Sequence, residues 1–181
     1  AVLEAARATS IEPPPSGRYE SELGLVARAW LRLAGRALER GAILVVDYGF
    51  PGREFFHPQR SMGTLACHYR HHVHGDPFWL PGLQDISAHV DFSALARAAA
   101  ESELEVLGYA SQAQFLVNSG ITQLLGEADP ADAARYLPAA AAANRLLSPS
   151  EMGELFKVLA VGRGVELPLM GFSRGDRSHT L

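Results

Sequence analysis

The chain has 181 residues, 48% hydrophobic and 20% charged, with 16 Lys and Arg against 20 Asp and Glu for a net charge of −4. That length and balance allow one ordinary core, and they exclude the basic footprint that grips a phosphate backbone, so nucleic acid is not an expected partner. The one cysteine, Cys67, rules out an internal disulfide framework and a thiolate metal cluster. No apolar run approaches the ~20 residues that cross a bilayer, so no membrane span is expected; a cytoplasmic protein is.

The opening AVLEAARATSIEPPPSGRYESEL has neither the basic start nor the apolar centre of a secretory signal. It looks like a chain entered midway, with a short helical stretch and then a Pro13-Pro14-Pro15-Ser16-Gly17 linker that cannot continue a helix. From Glu20 to Arg40, Leu23, Val26, Trp30, Leu33, Ala37 and Leu38 fall on one stripe at helical spacing. This predicts an amphipathic helix ended by Gly41, with Trp30 in the core. The unbroken apolar run Ala42 to Val46 predicts a strand buried on both faces, stopped by Asp47-Tyr48-Gly49. Phe50 to Asp91 has no sustained period and is dense in Gly, Pro, His and aromatic residues. It far exceeds the ~12–15 residues of an ordinary loop, which marks residues 50–91 as a lid where chemistry is to be sought.

Regular patterning returns with a helix over Phe92 to Glu103, capped at Asp91 or Ser93, and a strand from Leu104 to Ala110. Gln112 to Leu125 and Asp132 to Leu147 predict helices, the second interrupted at Pro138, so that residues 112–150 form a helical insertion. Glu154 to Gly162 predicts a last buried strand. Three strands separated by helices imply an α/β sheet with helices on its faces, and such sheets place their sites beyond the carboxyl ends of strands, where Asp47-Tyr48-Gly49 stands.

His68, His71, His72, His74 and His89 crowd one region, but their spacing matches no metal signature, and no metal site is expected. His72 and His89 are candidate proton acceptors or substrate partners, because imidazole titrates near neutrality. Asp91 is expected as a helix N-cap. Asp47 has two readings: a strand-end residue capping nearby amides, or a site carboxylate.

The stretches ILVVDYGFPGREFFHPQRSMGTLACHYRHH and PGLQDISAHVDF, with SQAQFL and EMGELFKVLAV further on, resemble the methyltransferase family that includes the mitochondrial complex I assembly arginine methyltransferase. The resemblance covers most of the chain. It implies the later half of a Rossmann-like methyltransferase sheet with a long substrate-side insertion and extra helices, and S-adenosyl-L-methionine as cofactor. The sequence departs from that pattern in one respect: Gly-x-Gly-x-x-Gly occurs nowhere, and Gly162-Arg163-Gly164 follows the last strand rather than opening the sheet. Residues 1–181 are thus expected to form a partial domain whose main cofactor contacts lie elsewhere. Its exposed sheet edge would offer a homodimer contact.

For the arginine of a protein substrate, carboxylates are the expected clamp on the planar guanidinium. Asp47 and Asp85 are the favoured pair and His89 the accompanying catalytic candidate. Tyr48, Glu22, His72 and Gln112 are expected to line the substrate pocket. The alternative is a non-catalytic interaction module in which the lid binds a partner protein.

Overall fold

The computed structural model describes residues 2–7, 9 and 17–181; the triple proline of the predicted linker lies outside them. A short exposed helix, α1 (Val2–Arg7), precedes α2 (Leu25–Ala37) and β1 (Gly41–Phe50). The lid carries α3 (Gly52–Phe55), β2 (Ala66–Tyr69), β3 (His72–His74), β4 (Asp85–Ser87) and β5 (Val90–Asp91). Then follow α4 (Phe92–Ala100), β6 (Glu105–Ser111), α5 (Gln112–Asn118), α6 (Ile121–Gly126), α7 (Ala133–Leu147) and β7 (Phe156–Arg163).

The main sheet has the order β5-β1-β7-β6. β7 runs antiparallel to both β1 and β6, and β5 pairs in parallel with only Gly49 and Phe50 of β1. One face packs against α2 and α4: Leu31, Phe92, Leu95, Tyr109, Leu159 and Val161 form its buried core. Val158, Ala160, Ala110 and Leu107 on the other face pack under Phe172 of the C-terminal tail. The tail also closes the outer edge of β6, since Arg177 N–H donates to the Tyr109 carbonyl at 2.6 Å and Asp176 accepts from the Tyr109 amide at 2.9 Å.

β1 is not buried on both faces, contrary to the sequence expectation. Leu44 and Val46 are 51% and 52% exposed, while Val26, Trp30 and Leu33 of α2 are 84%, 51% and 69% exposed. The predicted stripe on α2 is therefore real, but its Val26, Trp30 and Leu33 face outward, and Leu38 at its end meets the core. Leu31 and Gly35, with Ala27 and Leu38, make that contact, so α2 is apolar on two sides. Trp30 is not a core residue. Among the described residues, nothing pairs with β1 on its outer edge before Gly49.

The lid has its own three-stranded antiparallel sheet, ordered β3-β2-β4. Its hairpin turns at Arg70 and His71, whose φ angles are 47° and 66°; positive φ at both central residues is the hairpin geometry that matches strand twist. The predicted Gln112–Leu125 helix is split into α5 and α6 by Gly120. α7, in contrast, runs through Pro138. Asp91 caps α4 as expected, its Oδ1 accepting from the Ala94 amide at 3.0 Å.

Candidate active site

The carboxyl end of β1 carries Asp47, Tyr48, Gly49 and Phe50 in one continuous strand. Asp47 Oδ1 accepts from the Tyr48 amide at 2.8 Å. Gly49 is needed there because β5 crosses against it: a Cβ at this position would stand 2.2 Å from the Val90 carbonyl oxygen. That close approach sets His89, the residue before Val90, between two aromatic rings. Its imidazole meets Tyr48 edge-on at 5.0 Å and stacks on Phe50 at 5.1 Å with 15° between planes. The Arg60 guanidinium lies 3.9 Å from the centre of the Phe50 ring, a cation–π contact.

Burial holds the His89 imidazole below the ordinary histidine value, and the Arg60 charge adds to the effect. Glu22, a hydrogen bond to the Thr64 backbone and Asp47 act in the opposite direction. His89 Nδ1 is buried without a hydrogen-bond partner. The ring therefore favours its neutral form, in which one nitrogen accepts a proton.

Two hollows adjoin this cluster. A pocket of about 250 Å³ lies between α2 and β5, with Glu22, Arg28, His89 and Asp91 among its walls. An open groove of about 870 Å³ runs between α2 and β1, where Asp47 is the one charged residue amid Leu23, Val26, Trp30, Val45 and Val90. Asp91 contributes more than a cap. Its Oδ2 is buried without a hydrogen-bond partner, 3.7 Å from an Arg97 nitrogen, and burial raises its pKa against the opposing pull of the Ala94 amide and Arg97.

The structure thus brings Tyr48 and His89 together, with Glu22 on the wall of the same pocket as His89, while Asp47 opens onto the neighbouring groove between α2 and β1. It does not gather the other predicted site residues. Asp85 is exposed on β4 and opposes His68 in the lid sheet, so it forms no carboxylate pair with Asp47. His72 is exposed on β3 opposite Tyr69. Gln112 is buried, and its Nε2 donates to the Leu146 carbonyl at 3.0 Å, tying α5 to α7. Arg60, Thr64 and Phe50 were not singled out from the sequence. They are scattered through the lid, and no periodic signal joins them.

The four-stranded mixed sheet with its packed helices and the three-stranded lid sheet define an α/β fold. The family described as "Putative S-adenosyl-L-methionine-dependent methyltransferase" matches residues 3–110, and the chain belongs to it. The mitochondrial protein arginine methyltransferase NDUFAF7 of Danio rerio is 33% identical over 164 residues, covering 86% of this chain and 35% of the relative. Its Mus musculus counterpart is 35% identical over 125 residues, covering 67% of this chain and 26% of the relative. A crystal structure of a Burkholderia thailandensis protein bound to S-adenosyl-homocysteine is 53% identical with a TM-score of 0.93, over 99% of this chain and 46% of that chain. The chain therefore has the fold of about half of that solved relative and spans about a third of the Danio rerio protein.

Proposed function

We propose that this chain forms the acceptor side of an S-adenosyl-L-methionine-dependent methyltransferase, with the arginine of a protein as the methyl acceptor. The observation that carries the proposal is the carboxyl end of β1, where Tyr48 meets His89 and Asp47 opens onto the adjoining apolar groove, in a chain that shares 53% identity with a relative bound to S-adenosyl-homocysteine. The name of the Danio rerio relative supports arginine as acceptor.

The cofactor fits these residues only in part. The groove supplies an apolar wall and a single carboxylate, and no glycine-rich strand-to-helix loop occurs in the sequence. What the chain's own residues can do is orient the acceptor. The apolar lining suits the aliphatic stem of an arginine, and the Asp47 carboxylate, with only one oxygen engaged by the Tyr48 amide, suits its guanidinium. Neutral His89 offers a place for the proton the acceptor nitrogen must lose.

The open β1 edge and the exposed stripe of α2 leave an apolar surface along the groove between them, and Leu44 and Val46 are uncovered on the other face of the sheet. Further strands and helices of a complete methyltransferase domain suit that surface, and a homodimer is the second occupant we propose. The single, buried cysteine leads us to propose a reducing compartment such as the cytoplasm. The central test joins the chain to the part of the Burkholderia thailandensis relative that it does not cover. Asp47→Asn in that protein should lower methyl transfer to arginine at least tenfold and leave S-adenosylhomocysteine affinity unchanged; equal loss of both would remove Asp47 from the acceptor side.

A further inference from the structure

The segment just before α2 meets the lid through one side chain. Glu22 Oε1 accepts from the amides of Thr64 and Leu65, both at 2.8 Å, and its Oε2 accepts from the Thr64 hydroxyl at 3.1 Å. Consecutive amides that converge on one carboxylate oxygen form a small backbone nest, a strong seat for a negative charge. Gly63 makes the nest possible: its φ is +70°, and a Cβ there would stand 2.3 Å from Glu22 Oε1. The chain continues from the nest to the site in one further bond, because the Thr64 hydroxyl oxygen accepts from the His89 amide at 3.0 Å.

We propose that Glu22 is a positioning residue rather than a substrate ligand: its carboxylate locks the lid corner Gly63-Thr64-Leu65, and through Thr64 it sets the place of His89. Both carboxylate oxygens are already engaged by the lid, which leaves little capacity for a substrate guanidinium. The Glu22 charge also faces the site. The charged and titratable groups around His89 are Glu22 ahead of α2, Asp47 and Tyr48 on β1, Arg60 in the lid, and Arg28 and Asp91 on the walls of the same pocket. Tyr19, whose phenol is raised by burial and by Glu22, senses the same carboxylate. The consequence for catalysis rests on the function proposed above, whereas the clamp itself is measurable without turnover.

The test is NMR on the 181-residue chain across a pH titration, comparing the parent with Glu22→Gln, Thr64→Val and Thr64→Ser. The Thr64 and Leu65 amide signals should both shift in Glu22→Gln, which removes the negative charge they donate to. The His89 imidazole midpoint should shift downward in Glu22→Gln, since a negative neighbour that favours the imidazolium is gone. Thr64→Val should speed hydrogen exchange at the His89 amide at least tenfold, and Thr64→Ser should restore it. Glu20→Gln, which alters an exposed carboxylate paired with Arg18, should change none of these signals. An unchanged His89 midpoint in a folded Glu22→Gln chain would overturn the proposal, as would Thr64 and Leu65 amides that keep the parent's signals in that variant. Loss of methyl transfer in the joined protein with the clamp signals intact would count against the proposed function instead.

Discussion

Two leucines two residues apart on α2 should respond oppositely to the same substitution. Leu31 is fully buried among Phe92, Leu95 and Leu104, whereas Leu33 is 69% exposed on the stripe that faces outward. Leu31→Ala removes a buried side chain and leaves a cavity, a loss of about 2–5 kcal/mol. Leu33→Ala removes little buried area, and alanine is the better helix former, so its effect should stay within about 0.5 kcal/mol. Urea unfolding of the isolated chain reads the difference. With a slope of about 1–3 kcal/mol per molar, Leu31→Ala should lower the midpoint by about 1 M or more, and Leu33→Ala should barely move it. The titrations should be run at two protein concentrations. A Leu33→Ala loss equal to that of Leu31→Ala, or one that grows with protein concentration, would show that the stripe is covered in the isolated chain and refute the open groove.

Further outcomes follow from the polar groups. Asp91 has a raised pKa from burial, so its contribution to stability is full below the unfolded value and is lost as pH rises through the folded one. Asp91→Asn keeps a good N-cap and should therefore gain stability relative to the parent as pH climbs from about 4 toward neutrality; a pH-independent difference in urea midpoint would contradict this. His89 is shifted the other way: burial holds its imidazole below the ordinary histidine value. Its contribution is present above that value and is lost as pH falls through the lowered folded one. Arg60→Gln removes a depressing charge and should raise the His89 midpoint read by NMR, and a midpoint that stays or falls would remove Arg60 from the cluster.

Much of the fold was legible because local chemistry and tertiary role agreed. The buried strand near Phe156 to Arg163, the helix after Asp91 and the Asp91 cap itself followed from apolar runs and capping chemistry. The errors have definite causes. Periodicity located the α2 stripe but could not say which of two apolar faces meets the core, so Trp30 was misassigned to the interior. The lid escaped pattern reading because its strands are only three or four residues long and its hairpin turn uses Arg and His at positive φ. Pro138 sits inside α7, where the pattern implied an interruption.

The candidate site was legible only at its sequence-local end. Asp47 and Tyr48 stand at the end of a readable strand, and His89 lies in a motif next to it in space. Asp85 shares that motif, yet it is exposed in the lid sheet opposite His68. Glu22 was expected to line the substrate pocket, and its engagement with Thr64 and Leu65, some forty residues away, is a tertiary fact that the sequence did not show.

The most direct test of the account is calorimetric titration of S-adenosylhomocysteine into two proteins: this chain alone, and this chain joined to the part of the Burkholderia thailandensis relative it does not cover. Saturable binding by the joined protein with none by the chain alone is the predicted result. Binding by neither would contradict a methyltransferase function for this fold, and binding by the chain alone would contradict the expectation that the main cofactor contacts lie outside it.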